Sequence, residues 1–209
     1  GLGDVYKRQG EDCSDAIKSY INYREQNPLI EFYHSILPLI IQDDTQYVGI
    51  SVNYSGQIIP AITLAALIKK AFSRVKIIFG GSLFPAYANK ISALNIFAEY
   101  SDALIIYAGE YPWNNIIEYD TLDYIPGCMR SNGHSFIHNN LPLPQIKRAL
   151  PDFSDYSLQR YLVPHNILPY AMSIGCYWGK CSFCGYQSYK DICVKRYAQN
   201  DIDLGNYVF

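Results

Sequence analysis

Three cysteines lie close together in the last fifth of the sequence. Cys176, Cys181 and Cys184 fall within nine residues, in the stretch GCYWGKCSFCGYQ. Thiolates at such short spacings are typical ligands of zinc or of iron–sulfur clusters. The first residues lack the apolar core of a secretory signal, which favours metal ligation over a disulfide framework for these three.

The cysteine spacing leaves three interpretations open. A zinc site needs a fourth ligand, which Cys193 could supply from nine residues beyond Cys184. A closed-cluster electron carrier is the second, because plant-type ferredoxins share the first two spacings and add a distant fourth cysteine. In the third interpretation, three thiolates hold a four-iron cluster and leave one iron open to chelate a substrate.

The segments before the cysteines predict how they are positioned. Residues 167–174, ILPYAMSI, are typical of a strand, so the cysteines would occupy the loop that follows it. Residues 123–169 contain six prolines, which predicts a connector with a small hairpin around Asn132-Gly133.

The sequence upstream of this connector predicts an α/β domain. Residues 11–41 have helical periodicity, interrupted at Pro28. Three short runs rich in β-branched residues then predict strands, at Tyr47–Val52, Val75–Gly81 and Ala103–Glu110. Helical patterns between and after these runs favour a doubly wound parallel sheet.

Polar residues and glycines fall at the predicted strand ends. Parallel sheets of this class bind ligands at the carboxyl ends of their strands. The candidate binding residues are Ser51, Gly80, Gly81, Gly109 and Glu110, with Asn53 in the same position after the first strand. Glycine lets the backbone approach a ligand closely, but the Gly80-Gly81 pair could equally make only a tight turn.

Composition narrows the partners and the setting of the protein. Of the 209 residues, 49% are hydrophobic and 17% are charged, which is typical of a globular protein of one or two domains. The net charge of −2 provides no basic field for nucleic acid, and no apolar run approaches the about 20 residues of a membrane span. We therefore expect a cytoplasmic protein without nucleic-acid or membrane partners.

Both ends of the sequence predict that the chain is a piece of a longer protein. Residues 4–9, DVYKRQ, match the translation of GAT-GTG-TAT-AAG-AGA-CAG, which resembles a transposon-end sequencing adapter. We therefore exclude residues 1–9 from fold prediction. The other end stops at GNYVF without a helix cap or a polar tail.

The cysteine stretch resembles the cluster loop of radical S-adenosylmethionine enzymes, in which an aromatic residue, here Phe183, commonly precedes the third cysteine. The first spacing is one residue longer than usual, as in a subgroup that carries an N-terminal cobalamin-binding domain. The stretches YVGISVNYSGQIIPAITLAALIKKAFSRVKIIFGGSLFP and DALIIYAGE resemble the core of that domain. LPDFSDYSLQRYLVPHNILPYAMSIGC resembles its connector to the barrel, so the resemblance covers about Gln46 to Gln187.

The resemblance implies roles for both sets of candidate residues. The three clustered cysteines would ligate a [4Fe-4S] cluster whose open iron binds S-adenosylmethionine. Ser51, Gly80 and Gly81 match positions that cradle the nucleotide tail of cobalamin, and Gly109 and Glu110 match the third-strand motif. The Asp-x-His-x-x-Gly motif of some cobalamin domains does not occur, so none of the four histidines is expected to ligate cobalt.

The same resemblance implies the domain order and the chemistry. Residues 10–122 would form a Rossmann-like cobalamin-binding domain, residues 123–169 the connector, and residues 170–209 the first part of a truncated (β/α) radical S-adenosylmethionine barrel. Reductive cleavage of S-adenosylmethionine would give a 5′-deoxyadenosyl radical and, where cobalamin is bound, methyl transfer to an unreactive carbon. The implied partners are a reductant such as flavodoxin or ferredoxin and a small-molecule or peptide substrate. This piece alone is not expected to turn over.

Overall fold

The computed structural model describes residues 13–23, 25–87, 95–106, 108–139, 141–142, 153–162, 178 and 180–182. The chain divides into two units, Gly1–Pro144 and Gln145–Phe209. The first unit contains the sheet. In the second, the described part contains a single 3-10 turn, Leu158–Arg160. The strand expected at 167–174 and nearly all of the expected start of a barrel lie outside the described residues.

Two helices precede the sheet, α1 (Cys13–Asn22) and α2 (Leu29–Ile40). Their separation at Pro28 confirms the break that the sequence predicts, because proline fixes φ near the value that a helix start requires. The buried Asn27 stabilises this corner. Its Oδ1 accepts from the amide of Leu29 at 3.2 Å, and its Nδ2 donates to Oγ1 of the buried Thr63 at 3.0 Å.

Three parallel strands follow: β1 (Tyr47–Ser51), β2 (Lys76–Gly80) and β3 (Ala103–Ile105). The helices of this region are α3 (Ile58–Ala71) after β1, α4 (Asn95–Tyr100) before β3 and α5 (Glu110–Tyr119) after β3. Strand β2 pairs with both neighbours, and Ser51 lies opposite Gly80 in the register. None of the helices in the described part of the chain combines the length and the apolar character of a membrane span.

The predicted hairpin around Asn132-Gly133 is present as β4 (Cys128–Ser131) and β5 (Phe136–Ile137). Oδ1 of Asn132 accepts from the amides of His134 at 2.9 Å and Ser135 at 2.8 Å, which stabilises the turn. The sheet order is β1-β2-β3-β4-β5, with β4 antiparallel to both neighbours.

The position of this hairpin corrects two details of the sequence prediction. The expected connector of residues 123–169 included it, whereas β4 pairs directly with β3 through Ile105 and Cys128. Burial of Met129 and Phe136 explains why the hairpin packs with the sheet despite the prolines around it. The first unit consequently extends past residue 122 to Pro144, and its sheet is mixed rather than wholly parallel.

Both faces of the sheet are covered, as expected for a doubly wound arrangement. On one face, Phe79 packs in a core with buried residues of α3, Ile62, Ala65 and Ile68. These three recur every third residue and form a buried stripe on that helix. On the other face, Ile78 packs with Ile116 of α5. The described unit is thus a mixed α/β structure with a mostly parallel open sheet, compatible with a Rossmann-like fold.

Three phenylalanines connect β2 to the segments that follow it. The rings of Phe79 in β2 and Phe97 in α4 lie edge to face, with centroids 5.0 Å apart. Phe84, in the 3-10 turn Phe84–Tyr87 after β2, lies 5.1 Å from Phe97 and 6.4 Å from Phe79. Each aromatic pair of this kind adds about 0.5–1.5 kcal/mol beyond burial, so the cluster anchors the loop after β2 to the core.

Replacing Phe84 should therefore destabilise the sheet unit strongly. We expect Phe84→Ala to lower the free energy of unfolding by about 3–5 kcal/mol, because the ring is fully buried and its loss leaves a cavity. Urea unfolding followed by circular dichroism measures this change. Phe32→Ala, at a ring that is 56% exposed, is the matched control and should change stability by less than about 1 kcal/mol. Equal effects of the two substitutions would contradict the packing described.

Candidate functional site

The candidate site begins where the ends of β1 and β2 meet. The amide of Val52, just after β1, donates to the carbonyl of Gly80 at 2.7 Å. The carbonyl of Val52 accepts from the amide of Leu83 at 3.1 Å. The backbone after β2 therefore crosses closely over the end of β1.

Gly81 occupies the point of closest approach between these segments. Its φ of +113° lies where L side chains are rarely found, and a Cβ there would lie 2.4 Å from the carbonyl oxygen of Val52. The clashing atoms belong to the backbone of Val52, which cannot rotate away as the end of a flexible side chain can. Glycine at this position is consequently required by the fold itself, as in the tight-turn interpretation of the glycine pair.

Asn53 connects the two strand ends through its side chain and backbone. Its Oδ1 accepts from the amide of Ser82 at 3.0 Å, and its carbonyl accepts from Oγ of Ser82 at 3.3 Å. Its amide donates to Oε1 of Gln57 at 2.7 Å, and its Nδ2 donates to Oγ of Ser51 at 3.3 Å. Asn53 therefore positions its neighbours rather than offering free groups to a ligand.

Ser51 is exposed, and its hydrogen bond to Asn53 determines what it can offer to a ligand. Because Oγ accepts from Asn53, the hydroxyl hydrogen can still donate to an acceptor at the edge of the sheet. Gln57 and Ser82 are two positioning residues that sequence analysis did not select. The sequence could have indicated Gln57, because it lies three residues after Tyr54, the residue that precedes the 3-10 turn Ser55–Gln57. A glutamine at this spacing is typical of a capping box.

Gly80 and Gly109 differ from Gly81 in the space around them. A Cβ on Gly80 would have its nearest neighbours in Ile105 at 3.8 Å, and one on Gly109 would meet nothing within 4 Å. Neighbouring residues do not require glycine at either position. The absence of side chains at these two positions leaves space at the carboxyl edge.

Glu110 lies at the first position of α5, directly after Gly109. The predicted third strand extended to this residue, but β3 ends at Ile105 and the helix begins here. An exposed carboxylate in the first turn interacts favourably with the helix dipole. Its negative charge would disfavour a phosphate placed beside it, so its ligand contacts should be with neutral or donor groups.

Contacts across the second face of the sheet place α5 relative to β1. The ring of Trp113 lies against Gly49, where a Cβ would come within 3.0 Å of it. Oη of Tyr47 donates to Oδ1 of Asp120 at 2.5 Å, and burial together with this bond raises the pKa of Tyr47 to about 12. These contacts hold α5 over β1.

Since β1, β2 and β3 are parallel, all five candidate residues lie at the same edge of the sheet.

The cysteines differ in their suitability as metal ligands. Cys128 is only 1% exposed, and burial, followed by the charge of Asp123, raises the pKa of its thiol to about 12. A thiol in this environment stays protonated, and metals bind the thiolate. Cys181 is half-buried. Cys176, Cys184 and Cys193 lie outside the described residues, so the predicted cluster ligation stays a prediction.

No metal centre is formed by the part of the chain that the structure describes, since it contains no group of three or more His, Cys, Asp or Glu side chains able to hold an ion. Lys180 directly precedes Cys181 in the sequence, and its Nζ lies 5.4 Å from the centroid of the Trp178 ring. A positive charge is therefore adjacent to Cys181 along the chain.

Comparison with known proteins leaves the family of the chain undetermined. No protein-family model matches the sequence, and no curated protein gives a significant match.

The contrast between the glycines can be measured. Gly81→Ala should lower the free energy of unfolding by more than about 2 kcal/mol, because it combines an unfavourable φ with a clash against the Val52 backbone. Gly109→Ala, at a φ of −82° with open space around it, should change stability by less than about 1 kcal/mol. Denaturant unfolding of both variants provides the measurement. A tolerated Gly81→Ala would show that the crossing relaxes easily.

The burial of Cys128 predicts its reactivity. Because its folded pKa of about 12 lies above the usual thiol value of 9.0, the neutral thiol persists as the pH rises through 9. We expect Cys128 to resist iodoacetamide at pH 8.5 in the folded chain and to react once urea unfolds it. Peptide mass spectrometry would quantify both states. Comparable labelling in the folded and unfolded chain would contradict its assignment as an inert core residue.

Proposed function

We propose that this chain is part of a radical S-adenosylmethionine enzyme whose N-terminal unit binds cobalamin. The observation that carries the proposal is the order of two features along one chain. A parallel-sheet edge with an available hydroxyl donor and open glycines comes first, and three cysteines spaced by four and two residues follow. The resemblance of both segments to this enzyme class, in the same order, supports the same assignment.

Two features of the carboxyl edge, a hydrogen-bond donor and open space, support the binding of a cobalamin tail. Ser51 offers a hydrogen-bond donor at the end of β1, and its register partner Gly80 carries no side chain that would block an approaching ligand. Gly109 leaves open space beside the neighbouring strand. Gly81 contributes indirectly, since it allows the backbone crossing that holds this edge together. When bound, cobalamin would supply a transferable methyl group.

The cysteine loop would hold the second cofactor. Cys176, Cys181 and Cys184 would ligate three irons of a [4Fe-4S] cluster, which when bound supplies the electron for reductive cleavage of S-adenosylmethionine. Three thiolates around such a cluster carry net negative charge, and the ammonium of Lys180 next to Cys181 would offset part of it. Cys128 would not contribute, because its thiol is buried and protonated.

Anaerobic reconstitution with iron and sulfide tests this proposal. In this chain, or a longer form that contains it, Cys176→Ala, Cys181→Ala and Cys184→Ala should each reduce bound iron to background, because each removes one of only three protein ligands. Cys193→Ala is the matched control and should retain the cluster. The electron paramagnetic resonance spectrum of the reduced cluster should change when S-adenosylmethionine is added, since the open iron takes a new ligand.

The alternatives predict different results in the same experiment. A colourless protein that holds zinc and loses it in Cys193→Ala would establish a zinc module. A cluster that requires Cys193 and whose spectrum does not respond to S-adenosylmethionine would indicate a closed-cluster electron carrier. Either result would overturn the proposed radical chemistry.

A further inference from the structure

An exposed aromatic ring lies at the carboxyl edge, in the loop between β1 and α3. Tyr54 is 73% exposed and follows Ser51 by three residues. Exposed tyrosines occur elsewhere on the unit, so exposure alone does not distinguish this one. What distinguishes it is its backbone, which is held on both sides of the residue.

Gln57 holds the Tyr54 backbone. Its Oε1 accepts from the amide of Tyr54 at 3.2 Å as well as from the amide of Asn53 at 2.7 Å. Its own amide donates to the carbonyl of Tyr54 at 2.9 Å. Asn53, the preceding residue, is bonded to Ser82 across the strand ends. The ring is therefore displayed from a constrained backbone, and placing it against a ligand costs the ordering of only two side-chain torsions.

Tyr54 and Ser51 together offer complementary recognition of a planar heteroaromatic group. An exposed tyrosine face stacks on aromatic rings, and the free hydroxyl hydrogen of Ser51 can donate to a ring nitrogen in the plane of such a ring. The chain length between the two residues keeps their Cα atoms within about 11 Å. Glu110 at the same edge disfavours a phosphate beside it, so the ring rather than the phosphate is the part of a nucleotide that this edge suits.

We infer that Tyr54 is the stacking platform for the base of the cobalamin nucleotide tail. This inference rests on the proposed function and adds a specificity residue to it. Because cobinamide has the same corrin ring but lacks the nucleotide, contacts to the base contribute to cobalamin binding alone.

Titration of both corrinoids against a pair of variants tests the inference. Tyr54→Ala should weaken cobalamin binding about tenfold and leave cobinamide binding unchanged, while Tyr54→Phe should retain parent affinity for both because stacking needs only the ring. Tyr119→Ala is the matched control. That tyrosine is 62% exposed at the C-terminal end of α5, which begins at the carboxyl edge and runs away from it. It should affect neither ligand.

The remaining outcomes separate this inference from the function on which it rests. Unchanged cobalamin affinity in Tyr54→Ala, or an equal loss for cobalamin and cobinamide, would overturn the stacking role. Unfolding midpoints of all three variants should match the parent, since both rings are exposed, and a shifted midpoint for Tyr54→Ala would make its role structural. If the parent binds neither corrinoid, the proposed function fails and this inference fails with it.

Discussion

The close backbone crossing between Gly81 and Val52 is the constraint on which the candidate site depends. The two strand ends approach so closely that only glycine fits, and both backbone groups of Val52 are bonded to the segment around β2. With the crossing in place, Asn53 lies within reach of Ser82 and of Ser51. The aromatic cluster of Phe79, Phe84 and Phe97 anchors the loop after β2, which contains Gly81, to the core. Thus one steric requirement and one aromatic cluster organise the ends of β1 and β2.

This arrangement divides the residues of the edge by function. One group maintains the fold: Gly81 through its positive φ, and Asn53 and Gln57 through the hydrogen bonds of their polar groups. At the carboxyl edge, Ser51 offers a hydrogen-bond donor and Gly80 leaves space. A binding edge built in this way is preorganised, because its supporting hydrogen bonds are satisfied before any ligand arrives. Mutations in the supporting group should therefore act through stability, and those at Ser51 and Gly80 would act through the affinity for the proposed ligand.

Burial distinguishes the thiols in a similar way. Cys128 has the same side chain as the clustered cysteines, yet its buried position in β4, opposite Ile105 of β3, keeps it protonated and apolar in behaviour. Cys181, by contrast, is only half-buried and follows the charged Lys180 in the chain. Chemistry at sulfur is thus set by the local environment as much as by spacing.

The sequence by itself determined the alternation of helices and strands, the break at Pro28 and the turn at Asn132-Gly133, because side-chain periodicity and turn chemistry are local properties. It also located Ser51 and Gly80 at the ends of their strands, whereas Gly109 and Glu110 lie at the start of α5 and not at the end of β3. Only the tertiary structure decided that the hairpin of β4 and β5 joins the sheet, because the pairing of β4 with β3 depends on contacts more than twenty residues apart in the chain. The steric requirement for glycine at position 81 was likewise decided there, since it depends on the distance to the Val52 backbone. The burial of Cys128 and the contact of Trp113 with Gly49 arise in the same way, from segments that meet only in the folded chain.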